Sequence, residues 1–506
     1  MDPNIEDTIA QSVLGQLRRA GVQIGTGLTG YDLQPGAKIL APLMQEAIPL
    51  RNRIARVKGA GGTATNFKAI TAINSARLTP GVGEGHRNAA NTTAVATRSI
   101  PYASLGHDDL VTWDAEDAAK GFADLPETTK MTLLWSLMLS EEATMLAGAG
   151  SAIGTQTGSI SAALGQAVLG TPTTATTGGS LAATTSYTIY CMALTYQGVY
   201  LAGSYFDQNN GDNPASYTIA TPFSRSNMGG TSDTIAGGAG QISASGSITT
   251  GGTSTNTITA SVTAIAAAFG YAWFIGTSAG TARLAAITAL PTYTFKSTNA
   301  TGQLASVFTG LAADNSVNVL EYTGLVPYIA GSPLSFKKNL AGAALTSDGA
   351  RGIAEFNALF NQLWLAYKTS YTDIWCSAAQ AVKIDKLVSQ NSSGQNNFMA
   401  VIDGTKGESA SFIPAGPARV IVNPIANKNV RLNVHPSLPD TMILFTMDKV
   451  PFAANGIANA WEYHYQRDYF GQDWPRNNRQ YEYGAYTRGA LALNAEMLFG
   501  MIYAAA

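Results

Sequence analysis

Between Ser151 and Leu345 the chain carries only ten charged side chains, and the flanking segments hold all the rest. A surface that poor in charge follows different physics from its flanks, so the chain divides into an inserted block and a host that surrounds it. At 506 residues there is length for two or three cores. Inside the block the hydrophobic period is two: Tyr187, Ile189, Cys191 and Ala193 alternate with Thr188, Tyr190, Met192 and Leu194, and Gly198 supplies a turn. Ile258, Ala260 and Val262 repeat the pattern, as do Tyr271, Trp273 and Ile275. Short strands separated by Gly, Asn and Ser turns predict an antiparallel sandwich over about residues 179–298. Its aromatic residues are expected mainly in the core. The run leading in, from Ser151 to Ser180, reads as flexible linker or a loosely paired ribbon.

The host is anchored on the stretch Trp113–Gly150. One or two helical turns follow Asp114, a break is expected near Pro126, and a long amphipathic helix runs from about Glu127 to Ala147. Met131, Leu134, Trp135, Met138 and Met145 define the apolar stripe, which Leu133 and Leu137 widen. Nothing on this helix reads as a reacting group. Upstream lie a short amphipathic N-terminal helix and an extended arm broken by Pro35, Pro42 and Pro49. Arg51, Arg53, Arg56 and Lys58 then place four cations in eight residues. Two strands, about Thr63–Ile73 and Thr92–Leu105, follow with a glycine-rich tip between them, an extended hairpin that is marginal in isolation. Beyond the block, Ile353, Phe356, Phe360, Leu363, Trp364 and Tyr367 mark a second amphipathic helix. A strand (Thr372–Cys376), a helix, further strands around the Pro436–Pro439 turn and a final alternation through Ala490, Leu491, Ala492 and Leu493 complete an α+β region.

Composition narrows the function classes. Only 13% of residues are charged, and the formal net charge is -2. A near-neutral chain without a basic surface is not built to grip a nucleic-acid backbone. Surfaces this short of charge are usually covered. Cys191 and Cys376 lie far apart in apolar runs and read as buried thiols. The N-terminus lacks the apolar core of a secretory signal, and no run is long and apolar enough to span a membrane. The default expectation is folding in a cytoplasm.

The order of parts is the most informative feature. An arm ending in Ile48-Pro49-Leu50 leads into a basic strand, then a glycine-tipped hairpin, a long helix, and an α+β region with a strand, proline turn and strand ending at Asp448. This order resembles the major capsid proteins of tailed bacteriophages, the Hong Kong 97-like shell fold, over most of residues 30–150 and 345–506. The insertion, through its Tyr-x-Ile-x-Cys-x-Ala and Gly-Tyr-x-Trp-x-x-Gly patterns, loosely resembles immunoglobulin-like or fibronectin type III modules. The resemblance implies an N-terminal helix and arm (1–50), an E-loop hairpin with flanking strands (51–112), a spine helix region (113–150), an inserted β domain (151–345) and a return through the A- and P-domains (346–506). It implies self-assembly into hexamers and pentamers of an icosahedral shell in the virion, formed in the host cytoplasm. Double-stranded DNA would be enclosed without sequence-specific binding, with the insertion displayed outside. Partners implied are a portal, decoration proteins and a scaffolding protein, the last expected to be separate because few residues precede the arm. An encapsulin-like compartment would share the fold, and a carbohydrate-binding adhesin is the alternative of a different class.

No enzyme is read from the motifs, and no cofactor. His86, His107, His435 and His464 lack carboxylate or cysteine neighbours at ligand spacing and are expected in loops or turns. Gly148-x-Gly150-x-x-x-Gly154 follows a helix, where a dinucleotide loop requires a strand. Ser335-x-x-Lys338 stands without supporting motifs. Candidate assembly contacts are Arg51, Arg53, Arg56 and Lys58, otherwise a wet strand edge, with Lys68 and Arg77 on the hairpin and Asp114, Glu116 and Asp117 on a helix face. Some members of the family crosslink a hairpin lysine to a neighbour's asparagine, but nothing in this sequence assigns that reaction to Lys68. Tyr200, Tyr205 and Phe206 are candidates for surface binding.

Overall fold

The computed structural model describes residues 48–506 apart from 60, 74–80, 89–92, 121–123, 156–157, 204–216, 311–312, 350–351, 390–419, 455–456 and 476–478. Its long helix is Leu125–Ala147, 23 residues, roughly 35 Å at 1.5 Å per residue. The Asp124 side chain accepts from the Glu127 amide at the N-terminus, and Gly148 closes the far end on the Thr144 carbonyl. A first short helix ends at Ala119 and the long one begins at Leu125, so the expected break lies just ahead of Pro126, which sits in the first turn, where a missing amide costs nothing. The buried ridge also differs from the expected stripe. Leu125, Thr129, Leu133, Leu137, Glu141 and Met145 recur at steps of four and are all buried, whereas Met131 is 47% exposed. Leu133 and Leu137 pack against Val111, Ala115, Tyr483 and Ala485.

Three larger sheets make up the host, and the first packs on this helix. One runs Ala55–Lys58, Trp461–Asp473, Gln480–Leu493 and Ala103–Thr112 in spatial order, the first pair parallel and the others antiparallel. A second is the predicted hairpin, Ala64–Ile73 against Thr93–Pro101, with Thr65 opposite Ile100. Ile153–Thr155 and Gly158–Ile160 extend it, so the run after the long helix is a paired ribbon and not a linker. The third has six strands: Phe336–Asn339, Gly500–Tyr503, Ile443–Thr446, Asp373–Cys376, Lys428–Val434 and Val420–Asn423. Helix Ala354–Tyr367 buries Phe356, Leu359, Phe360 and Leu363, and Phe356 meets Phe445 edge-on at 5.1 Å. Ala490, Leu491, Ala492 and Leu493 are all buried, both faces of their strand being covered. The architecture is mixed helix and strand.

Within the charge-poor block, one sheet orders Gly246–Thr249, Ser186–Leu194, Gly270–Gly276 and Arg283–Thr288, and a second orders Thr292–Phe295, Thr257–Ser261 and Thr173–Ala175. Tyr187, Ile189, Cys191, Ala193, Ile258, Ala260, Val262, Tyr271, Trp273, Ile275 and Phe295 share one core between them, as the alternation predicts. The opposite face was not legible as buried. Tyr190, Met192, Leu194, Ala272 and Phe274 join the large core that continues into the host. The block departs and returns at one place: Asn318 donates to the Ala149 carbonyl and Gly324 to the Gly148 carbonyl, each at 2.7 Å. A Cβ on Gly150 would stand 2.2 Å from the Glu321 carbonyl oxygen, so only glycine permits this approach. Cys191 and Cys376 are both buried and free.

Candidate functional site

The four-cation run meets the long helix in a buried charge junction. Pro49 opens a five-residue helix, Pro49–Arg53, whose first amides need acceptors. The Glu142 carboxylate provides them, taking the Leu50 and Arg51 N–H groups on its two oxygens at 2.8 Å each. His435 completes the site from the Pro436 turn. The Ser437 amide donates to His435 Nδ1 at 3.1 Å, which puts the ring proton on Nε2, and Nε2 donates to Glu142 Oε1 at 2.8 Å.

One residue earlier on the helix, Glu141 accepts from Arg56 at 3.0 and 3.2 Å and from the Tyr469 hydroxyl, with Arg51 3.5 Å away. Arg56 also reaches Asp468 at 2.6 Å. Arg53 turns the other way, to Asp448 at 2.7 Å and Asp373 at 2.5 Å, and Arg431 bridges the same two carboxylates. Four guanidinium groups thus meet four carboxylates, Glu141, Asp373, Asp448 and Asp468, while Glu142 takes backbone amides. Aromatic faces line the cations, Tyr463 and Tyr469 lying 4.5 and 4.7 Å from Arg56. Burial works against the charge on Arg53 and Arg56, yet their carboxylate partners more than offset it and hold both above the ordinary guanidinium range. Burial, and then Glu141, push the Tyr469 phenol up. The junction joins the arm's end, the long helix, the four-stranded sheet and the six-stranded sheet. Breaking one buried pair of this kind typically costs about 3–5 kcal/mol.

A smaller junction holds the hairpin's root. Arg98 pairs with Glu496 at 2.6 Å, both buried, and Ser332 and Tyr328 donate to the same carboxylate at 2.5 and 3.3 Å. Burial opposes the Arg98 charge, but Glu496 keeps its pKa raised.

Of the residues singled out in the sequence, Arg51, Arg53 and Arg56 are brought together, but with carboxylates of their own chain and half-buried, not along a wet strand edge. Lys58 and Lys68 are exposed, and Arg77 lies outside the described residues. Asp114 is exposed 4.0 Å from Arg479, Glu116 is half-buried, and Asp117 pairs with Lys120 at the surface. Tyr200 is exposed and stacks on Tyr196, while Tyr205 and Phe206 lie outside the described residues. The histidines depart from expectation. His107 and His464 stand in strands, and His435 and His464 do have carboxylate partners, Glu142 and Glu462. Ser335 spends its hydroxyl on the Glu496 carbonyl. Sequence reasoning missed Glu141, Glu142, His435, Asp373 and Asp468. Two adjacent glutamates on a helix whose buried ridge steps by four, with one dense cation cluster upstream, were the available signal.

No protein-family profile matches this chain, and no curated protein does. Among solved structures, the chain is similar to the capsid of a native GTA particle at 10% identity, covering 94% of this chain and 95% of that one, with a TM-score of 0.41. The capsid of Myoviridae phage XM1 is 8% identical, with 92% and 94% covered and a TM-score of 0.37. The capsid structure of cyanophage P-SCSP1u is 8% identical, with 93% and 91% covered and a TM-score of 0.36.

Proposed function

We propose that this chain is a shell subunit, a major capsid protein of a tailed bacteriophage on the Hong Kong 97-like plan, whose copies form hexamers and pentamers around double-stranded DNA. The observation that carries the reading is the contrast between the hairpin and its root. Strands Ala64–Ile73 and Thr93–Pro101 form a ribbon roughly 30 Å long at 3.4 Å per residue. Its outer part presents Lys68, Val82 and Val95 to solvent, and residues 81–88 are all exposed. A two-stranded ribbon is marginal in water by itself, so it calls for a surface on a second copy. The root, by contrast, is fixed by Arg98 and Glu496. The charge junction suits the same role, since a subunit that transmits load between neighbours needs its arm, helix and sheets locked together.

On this reading the domains are those the resemblance implies: helix and arm to residue 50, E-loop region 51–112, spine 113–150, insertion 151–345 and the A- and P-domain return 346–506. The insertion, poor in charge, is displayed on the exterior. The protein acts as a structural component of the virion capsid, assembled in the host cytoplasm with a separate scaffolding protein, a portal and decoration proteins, and not as an enzyme. Electron microscopy with sedimentation of the purified chain tests this. Rings, tubes or closed particles with surface knobs are expected. A dispersed monomer or trimer under all conditions would overturn it.

A further inference from the structure

The face of the four-stranded sheet turned away from the long helix carries two cations that no described residue neutralises. Tyr483 and Ala485 pack toward the helix, so their alternating neighbours Gly484, Tyr486 and Arg488 point the other way. Arg488 stands directly opposite Arg467 on one side and Ser104 on the other, which sets two guanidinium groups and a hydroxyl in one row across three strands. Arg467 and Ser104 are exposed, and Arg488 is half-buried. Arg467 lies over the Phe470 ring at 4.9 Å. The Arg488 Nε is buried without a hydrogen-bond partner, and neither guanidinium has an ion pair among the described residues. Like charges directly opposite on neighbouring strands destabilise a sheet, and a buried donor left unpaired costs about 1–3 kcal/mol. An acidic group brought from outside relieves both.

The rest of that face limits what can come. Along the strands the row is bounded by Asp108 and Glu462, which lie opposite Gly484 and Ala492, each four residues or roughly 14 Å from Arg488. Both are engaged, Asp108 by Tyr486 and Trp474 and Glu462 by His464 and Asn459. A long polyanion laid along the face would meet these two carboxylates, whereas a compact acidic knob fits between them. The chain owns such a knob. Strand Ala103–Thr112 leads directly into helix Trp113–Ala119, where Asp114, Glu116 and Asp117 put three carboxylates in four residues. The Asp114 and Asp117 side chains are 72% and 66% exposed, and their partners Arg479 and Lys120 are equally open, so those pairs exchange at little cost. Ser104 and Thr112 are eight residues apart, which sets the basic row and the acidic helix at opposite ends of one strand, roughly 27 Å from each other. We propose that the Arg467–Arg488 row docks the Asp114–Asp117 helix of a second copy of this chain, head to tail. A contact of that kind closes into a ring or runs on as a filament. The inference rests on the shell reading and names the surfaces through which copies meet.

Sedimentation velocity of the full-length chain at about 50 mM salt tests it. Arg467→Glu places an acid opposite Arg488, so the melting temperature should not fall, yet association should weaken about tenfold. Two reversals go further. Arg467→Glu/Arg488→Glu carries acid at both ends, Asp114→Lys/Asp117→Lys carries base at both, and each alone should stay dispersed. Mixed, the two should associate again by alternating. Raising the salt to about 0.5 M should shrink all of these differences. A wild type that stays dispersed overturns the shell reading and this inference together. A wild type that associates, with Arg467→Glu associating equally well or the mixture no better than its components, overturns this inference alone. So does a short fluorescent DNA duplex that binds the wild type and not Arg467→Glu, which would give the row to phosphate.

Discussion

The charge junction and the inserted block hold themselves together by opposite means. Around Arg53 and Glu141, segments far apart in sequence meet through buried ions whose geometry must be satisfied at every oxygen. In the block, Ser186–Leu194 and Gly270–Gly276 are apolar on both faces and sit between two cores, with few charges anywhere near. Ion pairs specify which groups meet but cost desolvation, while apolar burial stabilises without choosing a partner so sharply. The contrast teaches where each region is fragile. One fails when a single partner is removed, the other when shape is disturbed.

That contrast can be broken most strongly at Glu141. Glu141→Gln keeps the shape and removes the charge, and should cost about 3 kcal/mol, the lower end for a broken buried pair, because Arg56 retains Asp468 and 17% of its side chain reaches solvent. Chemical denaturation of the purified chain measures it, and a loss below about 0.5 kcal/mol would make the junction ornamental. Disturbing shape comes next. Gly150→Ala places a methyl group against the Glu321 carbonyl and should cost about 2 kcal/mol by overpacking, with no dependence on salt.

A third experiment separates burial from bonding. The Tyr371 hydroxyl is buried without a hydrogen-bond partner among the described residues, and burial raises its pKa far above the usual value near 10. A group whose folded pKa is raised contributes stability that is complete below the unfolded pKa and is lost as pH rises beyond it. Wild type should therefore lose about 1.4 kcal/mol at pH 11 through this residue. Tyr371→Phe should be no less stable at pH 7 and should lack that alkaline loss, read as the shift in denaturation midpoint between pH 9 and 11. The smallest effect belongs to the surface. Asp117→Asn breaks a pair that is exposed on both sides, and the melting temperature should not move.

How much of this was legible follows the same division. Short-range periodicity found the long helix, the hairpin, the short strands inside the block and the helix around Phe356, because each pattern reports burial within a few residues, but it ran the hairpin's second strand on to Leu105, whereas that strand ends at Pro101 and Ala103–Thr112 pairs in another sheet. The core between the two small sheets was read residue by residue from Tyr187 to Ile275. What escaped was everything set by distant partners. Met131 reads as core from spacing alone, yet the helix turns its Leu133 and Leu137 ridge inward because Val111 and Tyr483 wait there. No sequence pattern links Glu141 to Arg56 or Glu142 to His435, so neither stood out. The arginine cluster was visible as a feature, but its partners, Asp373, Asp448 and Asp468, lie more than 300 positions downstream.

Those separations also set a schedule. Arg53 and Asp448 are 395 residues apart, and Arg51 and Tyr469 are 418 apart. At about 5–20 residues per second, a ribosome needs roughly 20–80 seconds to deliver the second member of each pair after the first has emerged. Through most of that interval Arg53 stays hydrated and uncommitted, and Arg56 has only Glu141, 85 residues on, to close upon. The lock turns only when the last seventh of the chain arrives, so a nascent or truncated chain cannot finish this frame.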